Sequence, residues 1–352
     1  MYIYSFFSGL GSLDLGFESA GFNIAFVNEY NPLFLESYKY ARRNNNTTPL
    51  LGYNNCSAEV FLDDNTWNSV FHDQHELFGF IGGPPCPDFS VAGKNRGAEG
   101  KNGRLTTIYF DLIRKRKPAF FVFENVKGLY RTKKHREYYE SQKSKLLQDG
   151  YVLFDKIFNS LEYGVPQYRD RLFLVGFRRD IFGNCEEFKF DGNKLYNLKD
   201  IRNISWPTMS TKAPKTAPQG IIEPLTVQYW FDKNDVTHHP NAKDIFKVRK
   251  PERFINTLEG DVSKKSFKRL HRWRYSPTAA YGNNEVHMHP YKARRISVAE
   301  ALAIQSLPAW FSLPEKLSLS NKFKMVGNCV PFMLAKGIAQ NIYDFVNHKY
   351  IE

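Results

Sequence analysis

Cysteine is scarce in this chain of 352 residues: there are four, Cys56, Cys86, Cys185 and Cys329, and no two form a C-x-x-C pair. That spacing excludes a zinc knuckle and a disulfide framework, so reduced thiols are expected. Long apolar runs are also missing. No stretch approaches the roughly 20 residues that a membrane span requires, and the opening MYIYSFFSGLG lacks the basic segment and cleavage site of a signal peptide. The expectation is a cytoplasmic protein with no membrane attachment. The histidine pairs His238/His239 and His287/His289 have no Cys, Asp or Glu at ligand spacing, so no metal is expected. Internal repeats and low-complexity tracts are absent as well.

What the chain has in excess is positive charge, 49 Lys and Arg against 36 Asp and Glu, for a net +13. A polyanionic partner follows, although charge alone does not separate nucleic acid from an anionic membrane. The first 180 residues alternate apolar runs with segments of helical period. YIYSFF (2–7), FNIAFV (22–27), LFGFIG (77–82), AFFVFE (119–124) and RLFLVGF (171–177) predict strands, and helices are predicted over 31–43, 105–116 and 135–148. This alternation predicts an α/β fold with a doubly wound, mostly parallel sheet covered on both faces. In such a fold ligands sit beyond the carboxyl ends of the strands. From 183 to 295 the pattern is irregular, and residues 191–290 hold 17 Lys and Arg against 10 Asp and Glu, more than half of the net charge. Helical pattern returns at SVAEALAIQSLP (297–308), where Ser297 and Glu300 make a capping box, and at PFMLAKGIAQNIYDFV (331–346), expected to pack back on the first part. The expected division is 1–182, 183–295 and 296–352.

The loops after the predicted strands carry the chemistry. Gly9 and Gly11 in FFSGLGSLDLGFE fit a cofactor turn and an ordinary strand-to-helix turn equally well, and Gly16 falls too late for a dinucleotide fingerprint. Glu29 ends the second run, where an acid can accept from both hydroxyls of a ribose or simply face solvent, and Tyr30 beside it can cover a base. Cys86, in GFIGGPPCPDFS, is either a packing residue or a nucleophile. Its place at a strand end, between Pro85 and Pro87, gives the rigid, loop-borne thiol that a nucleophile needs. Glu124 closes an apolar strand, where burial raises the proton affinity of a carboxyl and suits it to proton donation. Arg169 and Arg171, on one face of an extended segment, either hold a carboxylate, phosphate or carbonyl or line a solvated edge.

Together these segments resemble the DNA cytosine-5 methyltransferases, in order and over nearly the whole chain. FSGLGSLDLGFE is similar to the family's first motif, PPCPDFS to its Pro-Cys motif, ENV to the Glu-Asn-Val motif, QYRDR to the Gln-x-Arg-x-Arg motif, RRISVAEALAIQSLP to the ninth and MVGNCVP to the tenth. The resemblance implies a Rossmann-like methyltransferase domain with a smaller, irregular target-recognition domain. It implies transfer of a methyl group from S-adenosyl-L-methionine, leaving S-adenosyl-L-homocysteine, to carbon 5 of a cytosine flipped out of double-stranded DNA. Cys86 would attack carbon 6, Glu124 would act at N3 and the exocyclic amine, Arg171 would bind the cytosine carbonyl, and Arg169 would orient Glu124 or a phosphate. Phe7, the Gly9-Leu10-Gly11 turn, Glu29, Tyr30, Asn55, Asn328 and Val330 would form the cofactor site.

Three positions depart from the family pattern. Pro87 replaces the usual Gln after the Pro-Cys motif, Asn55 stands where an Asp accepts the adenine amine, and GKNGRLTTIYFDL matches the mobile active-site loop (about 93–107) only loosely. In the basic region, KKSFKRLHRWRYSPTAAYGN (264–283) places six Lys and Arg in its first eleven residues. Arg269, Arg272 and Arg274 are its candidate base readers, and Thr278 resembles the Thr that supports the space vacated by the flipped base. The enzyme is expected to act as a monomer, beside a cognate restriction endonuclease or alone. The rivals are an RNA (tRNA) cytosine-5 methyltransferase, a non-catalytic DNA-binding regulator of the same fold, and a nicotinamide-dependent oxidoreductase, which the missing third glycine disfavours.

Overall fold

The computed structural model describes residues 1–43, 48–71, 77–85, 101–248, 251–264, 266–279, 281 and 286–351. Seven strands, β1 (Tyr2–Phe6), β2 (Asn23–Asn28), β3 (Tyr53–Asn54), β4 (Phe78–Gly82), β5 (Phe120–Val126), β6 (Tyr151–Asn159) and β7 (Asp170–Arg178), form a sheet in the order β3-β2-β1-β4-β5-β7-β6. The first five are mutually parallel, and β7 lies antiparallel to both β5 and β6. The winding reverses between β1 and β4, where Phe6 pairs with Gly82, so a crevice opens at the carboxyl ends of those two strands. All five predicted strands are present. The two that periodicity did not predict have local reasons: β3 is two residues long, and β6 carries Asp155 and Lys156 at its centre on the sheet's edge.

The helices of the first part are α1 (Ser12–Ser19), α2 (Pro32–Arg42), α3 (Asp64–Phe71), α4 (Lys101–Arg116), α5 (Gly128–Arg131), α6 (Lys133–Gln148) and α7 (Arg179–Phe182). The segment likened to a mobile loop is helical from Lys101 onward, four residues ahead of the predicted start. Ile108, Leu112 and Ile113 bury one side of this helix and Arg104 ties its first turn to Glu59 at 2.5 Å, which extends it backward. Strand alternation sorts the core. Ile3, Phe120 and Val122 face α1 and the C-terminal helix, whereas Tyr4, Phe6, Phe121 and Phe123 face α3, α4 and α6.

Beyond β7 the chain forms short helices, α8 (Leu198–Asn203), α9 (Val227–Lys233) and α10 (Pro251–Asn256), joined by turns, then α11 (Val298–Ile304), α12 (Leu319–Asn328) and α13 (Phe332–Ile351). The Ser297–Glu300 capping box is formed, with Glu300 N donating to Ser297 Oγ at 3.2 Å and Ser297 N to Glu300 Oε2 at 2.8 Å. A second core joins α9, α11 and α12 to Leu10, Leu15 and Ala41, so the later segments close over the first glycine turn, while α13 joins the core beneath the sheet. Among the described residues no helix is long and apolar enough to cross a membrane.

Phe177 locks this arrangement. It is fully buried on β7, with ring centroids 4.8 Å from Phe345 of α13 and 4.9 Å from Phe188. Phe177→Ala is expected to cost about 3–5 kcal/mol through transfer and cavity terms, and Phe177→Leu clearly less; denaturant unfolding measures both.

Candidate active site

The carboxyl edge of the sheet brings Glu124 and Arg171 together. Glu124 lies near the end of β5, and Arg171 enters at the start of antiparallel β7, opposite Val126. Arg171 Nε stands 2.9 Å from Glu124 Oε1, with each side chain only 11% exposed. Just past β4, a Cβ on Gly83 would lie 2.9 Å from Glu124 Oε2, so the bare backbone leading to Pro84 and Pro85 admits the carboxyl. Burial pushes the Glu124 pKa above the ordinary carboxylate value, while the charges of Arg171 and Arg169 pull it back. Such a carboxyl holds its proton more readily than an exposed one. Cys86 lies outside the described residues, as do residues 93–100 of the segment compared with the mobile loop.

Arg169 is placed differently from Arg171. It is 1% exposed, and its Nη1 donates to the carbonyl of Ala279 at 2.6 Å while its Nη2 donates to that of Gly327 at 2.7 Å. Its charge is felt at Glu124, but the hydrogen bond to that carboxyl comes from Arg171. Gln167, which the sequence reading did not single out, completes this seam. Its Oε1 accepts from Ala279 N at 2.9 Å, and its Nε2 donates to Gln305 Oε1 at 3.2 Å. Its signal was present as the first letter of QYRDR.

The first glycine turn has three positive φ values in five residues, Phe7 at 54°, Gly9 at 57° and Gly11 at 77°. A Cβ on Gly11 would stand 2.3 Å from the Tyr38 ring, so only glycine fits there. Glu29 bridges this turn to the next, accepting from Gly9 N at 2.8 Å and Asn31 N at 2.7 Å. Burial raises its pKa and the two amides lower it. With four lone-pair positions, its carboxylate still has room for two more donors. Asn55 Nδ2 donates to the Glu29 and Tyr30 carbonyls at 2.8 and 3.0 Å, which leaves its Oδ1 as an acceptor. Tyr30 is 71% exposed, Leu10 is buried against α11 and α12, and Phe7 lies edge-on to Tyr109. Exposed Asn328 and buried Val330 flank Cys329, whose thiol meets the Ser12 side chain at the start of α1. A carboxylate, an exposed ring and a carbonyl acceptor around a glycine turn fit a nucleoside: ribose hydroxyls, base face and exocyclic amine in that order.

Beneath the turn lies a buried network that the sequence reading missed. Asp14 accepts from Ser5 Oγ at 2.9 Å and Tyr38 OH at 3.0 Å, while Arg42, stacked on the Tyr38 ring, donates to Gly11 O at 2.6 Å. The available signal was an aspartate on the buried side of an amphipathic helix beside a glycine turn.

The four recognition-region residues separate. Arg269 turns inward, its Nη1 donating to His289 O at 3.0 Å and its Nη2 bonded to Phe254 O. Arg272 forms a two-pronged pair with Glu259 at 2.9 and 2.8 Å. Arg274 is half-buried and donates to Pro207 O at 3.3 Å. Exposed Thr278 donates to Tyr168 O at 2.7 Å, which places it one residue from the Arg169 seam. Burial pushes His287 down to about 3 and His289 to about 2, so both are neutral packing groups. Among the described residues no group of three or more His, Cys, Asp and Glu is arranged to hold a metal.

Comparison with known proteins places this geometry. Residues 1–344 match the family model described as C-5 cytosine-specific DNA methylase. The Type II methyltransferase M.NmeDI of Neisseria meningitidis serogroup C is 53% identical, over 99% of this chain and 84% of its own. M.MthTI of Methanothermobacter thermautotrophicus, another Type II methyltransferase, is 30% identical over 97% of each. The S. pombe Dnmt2 methyltransferase structure superposes with a TM-score of 0.61 at 13% identity, over 99% of both chains, and so shares the fold.

The buried network carries a pH signature. Burial, opposed mainly by Arg42, raises the Asp14 pKa from 3.8 to about 6. A raised folded-state pKa means that the native state binds the proton more tightly than the unfolded chain. The stability that Asp14 contributes is therefore fully present below about pH 4 and is lost as pH rises through 6, by up to about 3 kcal/mol. Relative to Asp14→Asn, the parent is expected to lose that margin between pH 4 and 7 in urea unfolding; parallel curves would contradict the assignment.

Proposed function

Because the chain belongs to the C-5 cytosine-specific DNA methylase family, we propose that it methylates carbon 5 of a flipped-out cytosine in a specific double-stranded DNA sequence through a covalent adduct at Cys86. Its class is that of the Type II relatives, DNA cytosine-5 methyltransferases of restriction-modification systems, whose methyl donor is S-adenosyl-L-methionine. The observation that carries the finer reading is the buried 2.9 Å Glu124–Arg171 pair, set beside the strand end that continues into Pro84, Pro85 and Cys86.

In this reading the Cys86 thiolate attacks carbon 6 of the cytosine. Glu124 gives a proton or hydrogen bond to N3 and accepts from the exocyclic amine, so the charge created by attack is neutralised on the ring. Arg171 keeps the Glu124 carboxyl in place and offers its other N–H groups to the cytosine carbonyl. Carbon 5 thereby becomes nucleophilic. S-Adenosyl-L-methionine, when bound, supplies an electrophilic methyl group and is left as S-adenosyl-L-homocysteine. Loss of the carbon 5 proton and departure of the Cys86 thiolate then restore the ring.

Phe7 and Tyr30 would cover the adenine, the Gly9-Leu10-Gly11 turn would line the donor, Glu29 would hold the ribose and Asn55 the adenine amine, with Asn328 and Val330 closing the pocket. Residues 1–182 with 296–352 would form the catalytic domain and 183–295 the recognition domain. Thr278 suits the space left by the flipped base because it stands at the seam, and Arg274 is the arginine of its run with fewest internal bonds. Arg269 and Arg272 would serve recognition by holding the region in shape. The enzyme would act as a cytoplasmic monomer, beside a restriction endonuclease encoded nearby or alone.

Incubation with tritiated methyl donor and mixed-sequence duplex DNA, followed by bisulfite sequencing, is expected to place label in cytosines of one short motif. Label in transfer RNA instead would favour the RNA reading, and none in either would favour a binding-only protein. Cys86→Ala should abolish transfer yet retain salt-sensitive DNA binding, and Glu124→Gln should lower kcat by about 10²–10⁴-fold. Asn55→Ala should weaken cofactor binding roughly tenfold, the worth of one hydrogen bond, as read by titration calorimetry with S-adenosyl-L-homocysteine.

A further inference from the structure

Two runs of positive charge lie in the first 182 residues, and the fold treats them in opposite ways. In RKRK (114–117), Arg114, Lys115 and Arg116 close α4, the helix end where cations are favoured, and each of these three reaches a carboxylate. Arg114 reaches Asp149 at 2.7 Å, and Lys115 and Arg116 reach Asp64 at 3.0 and 2.6 Å. The other run, KGLYRTKKHR (127–136), holds five Lys and Arg and no Asp or Glu. Its first cation, Lys127, is paired with Asp170, which sits between Arg169 and Arg171. Arg131, Lys133 and Arg136 are exposed and have no carboxylate partner among the described residues.

Two of them, Lys133 and Arg136, also sit at the unfavourable end of a helix, whereas Arg131 ends the short α5. Lys133 opens the 16-residue α6 with Arg136 one turn on, no acidic side chain lies in that turn, and the N-cap residue Thr132 makes no side-chain cap bond. The dipole there repels cations. The run is nonetheless held rigidly. Arg136 stacks over the Tyr130 ring at 4.2 Å, Tyr130 meets Tyr139 edge-on, and Tyr138 OH bonds Thr107 Oγ1 of α4 at 2.7 Å. Its position follows from topology. β5 is parallel to β4, so it ends at the edge where Glu124 stands, and the run starts one residue beyond it.

Unpaired cations fixed beside the edge where Glu124 stands, two of them where they weaken their own helix, call for an external polyanion. We infer that Arg131, Lys133 and Arg136 form a phosphate-contacting rail for the DNA duplex beside the target base, on the catalytic domain and separate from the recognition region. The inference rests on the DNA-directed reading above and extends its substrate contacts to a surface outside residues 183–295.

The test is the full-length variant R131Q/K133Q/R136Q, compared with K145Q/R179Q/K316Q, which loses the same charge at exposed sites outside residues 183–295. Anisotropy of a labelled duplex is followed from about 50 to 200 mM salt, where each phosphate contact contributes about 0.9 to the slope of log K against log salt. The rail variant is expected to flatten that slope by about two to three, while its melting temperature stays level or rises because the helix dipole is relieved. The control should keep the parent slope. A rail variant with the parent's slope, or a control that flattens it equally, overturns the inference. Methyl transfer by the parent preparation reports separately on the catalytic reading, so transfer with an unchanged slope refutes the rail alone.

Discussion

The Arg169 guanidinium is the constraint on which the rest of the architecture depends. A fully buried cation is tolerated only where it is well hydrogen-bonded, and the two terminal nitrogens of Arg169 are met by carbonyls at Ala279 and at Gly327 and Cys329 by the end of α12, while its Nε has no partner among the described residues. Three distant parts of the chain must be in register before this charge is satisfied. Gln167, two residues earlier, makes the same demand in neutral form, reaching Ala279 and Gln305. Breaking either contact would leave polar groups orphaned in a dry seam, so the seam behaves as a unit.

The division of labour between the paired arginines follows from this. Strand alternation places Arg169 and Arg171 on one face, yet one is committed to assembly and the other to Glu124. The carboxyl thus receives one direct partner and one nearby field, which tempers the effect of burial without fixing the group permanently as an anion. The first glycine turn is arranged in a similar way. Asp14 and Arg42 act from beneath it, and Glu29 joins its amide to the neighbouring loop, so the upper surface of the turn is left free for a ligand.

Much of this was legible in the sequence, because parallel strands buried on both faces write continuous apolar runs. YIYSFF, FNIAFV, LFGFIG and AFFVFE announced β1, β2, β4 and β5, and their carboxyl ends announced the edge where Glu29 and Glu124 stand. Strands that are short or lie at an edge wrote no such pattern, hence the silence over Tyr53–Asn54 and Tyr151–Asn159. The partners of charged side chains were the least legible feature. Arg269, Arg272 and Arg274 look alike in LHRWRY and its approach, but only folding decides that the first satisfies backbone carbonyls and the second a carboxylate. Asp14 was hidden for the same reason, since its partners Ser5 and Tyr38 lie nine residues before it and 24 after it.

The reversed direction of β7 has a consequence for how such a protein can diversify. Because this strand begins at the edge where Glu124 stands and runs away from it, the chain leaves the sheet at the opposite end and starts its irregular excursion there, after Arg178. It comes back to the edge first at Leu195–Arg202, bonded to Glu162 and Tyr168, and again at the short Ser276–Ala279 segment, stitched to Pro166, Gln167 and Tyr168. Insertions and deletions between those two points change the length of a tethered appendage and leave the spacing of Glu124 and Arg171 untouched. The excursion can therefore be remodelled while the Glu124–Arg171 pair is inherited whole.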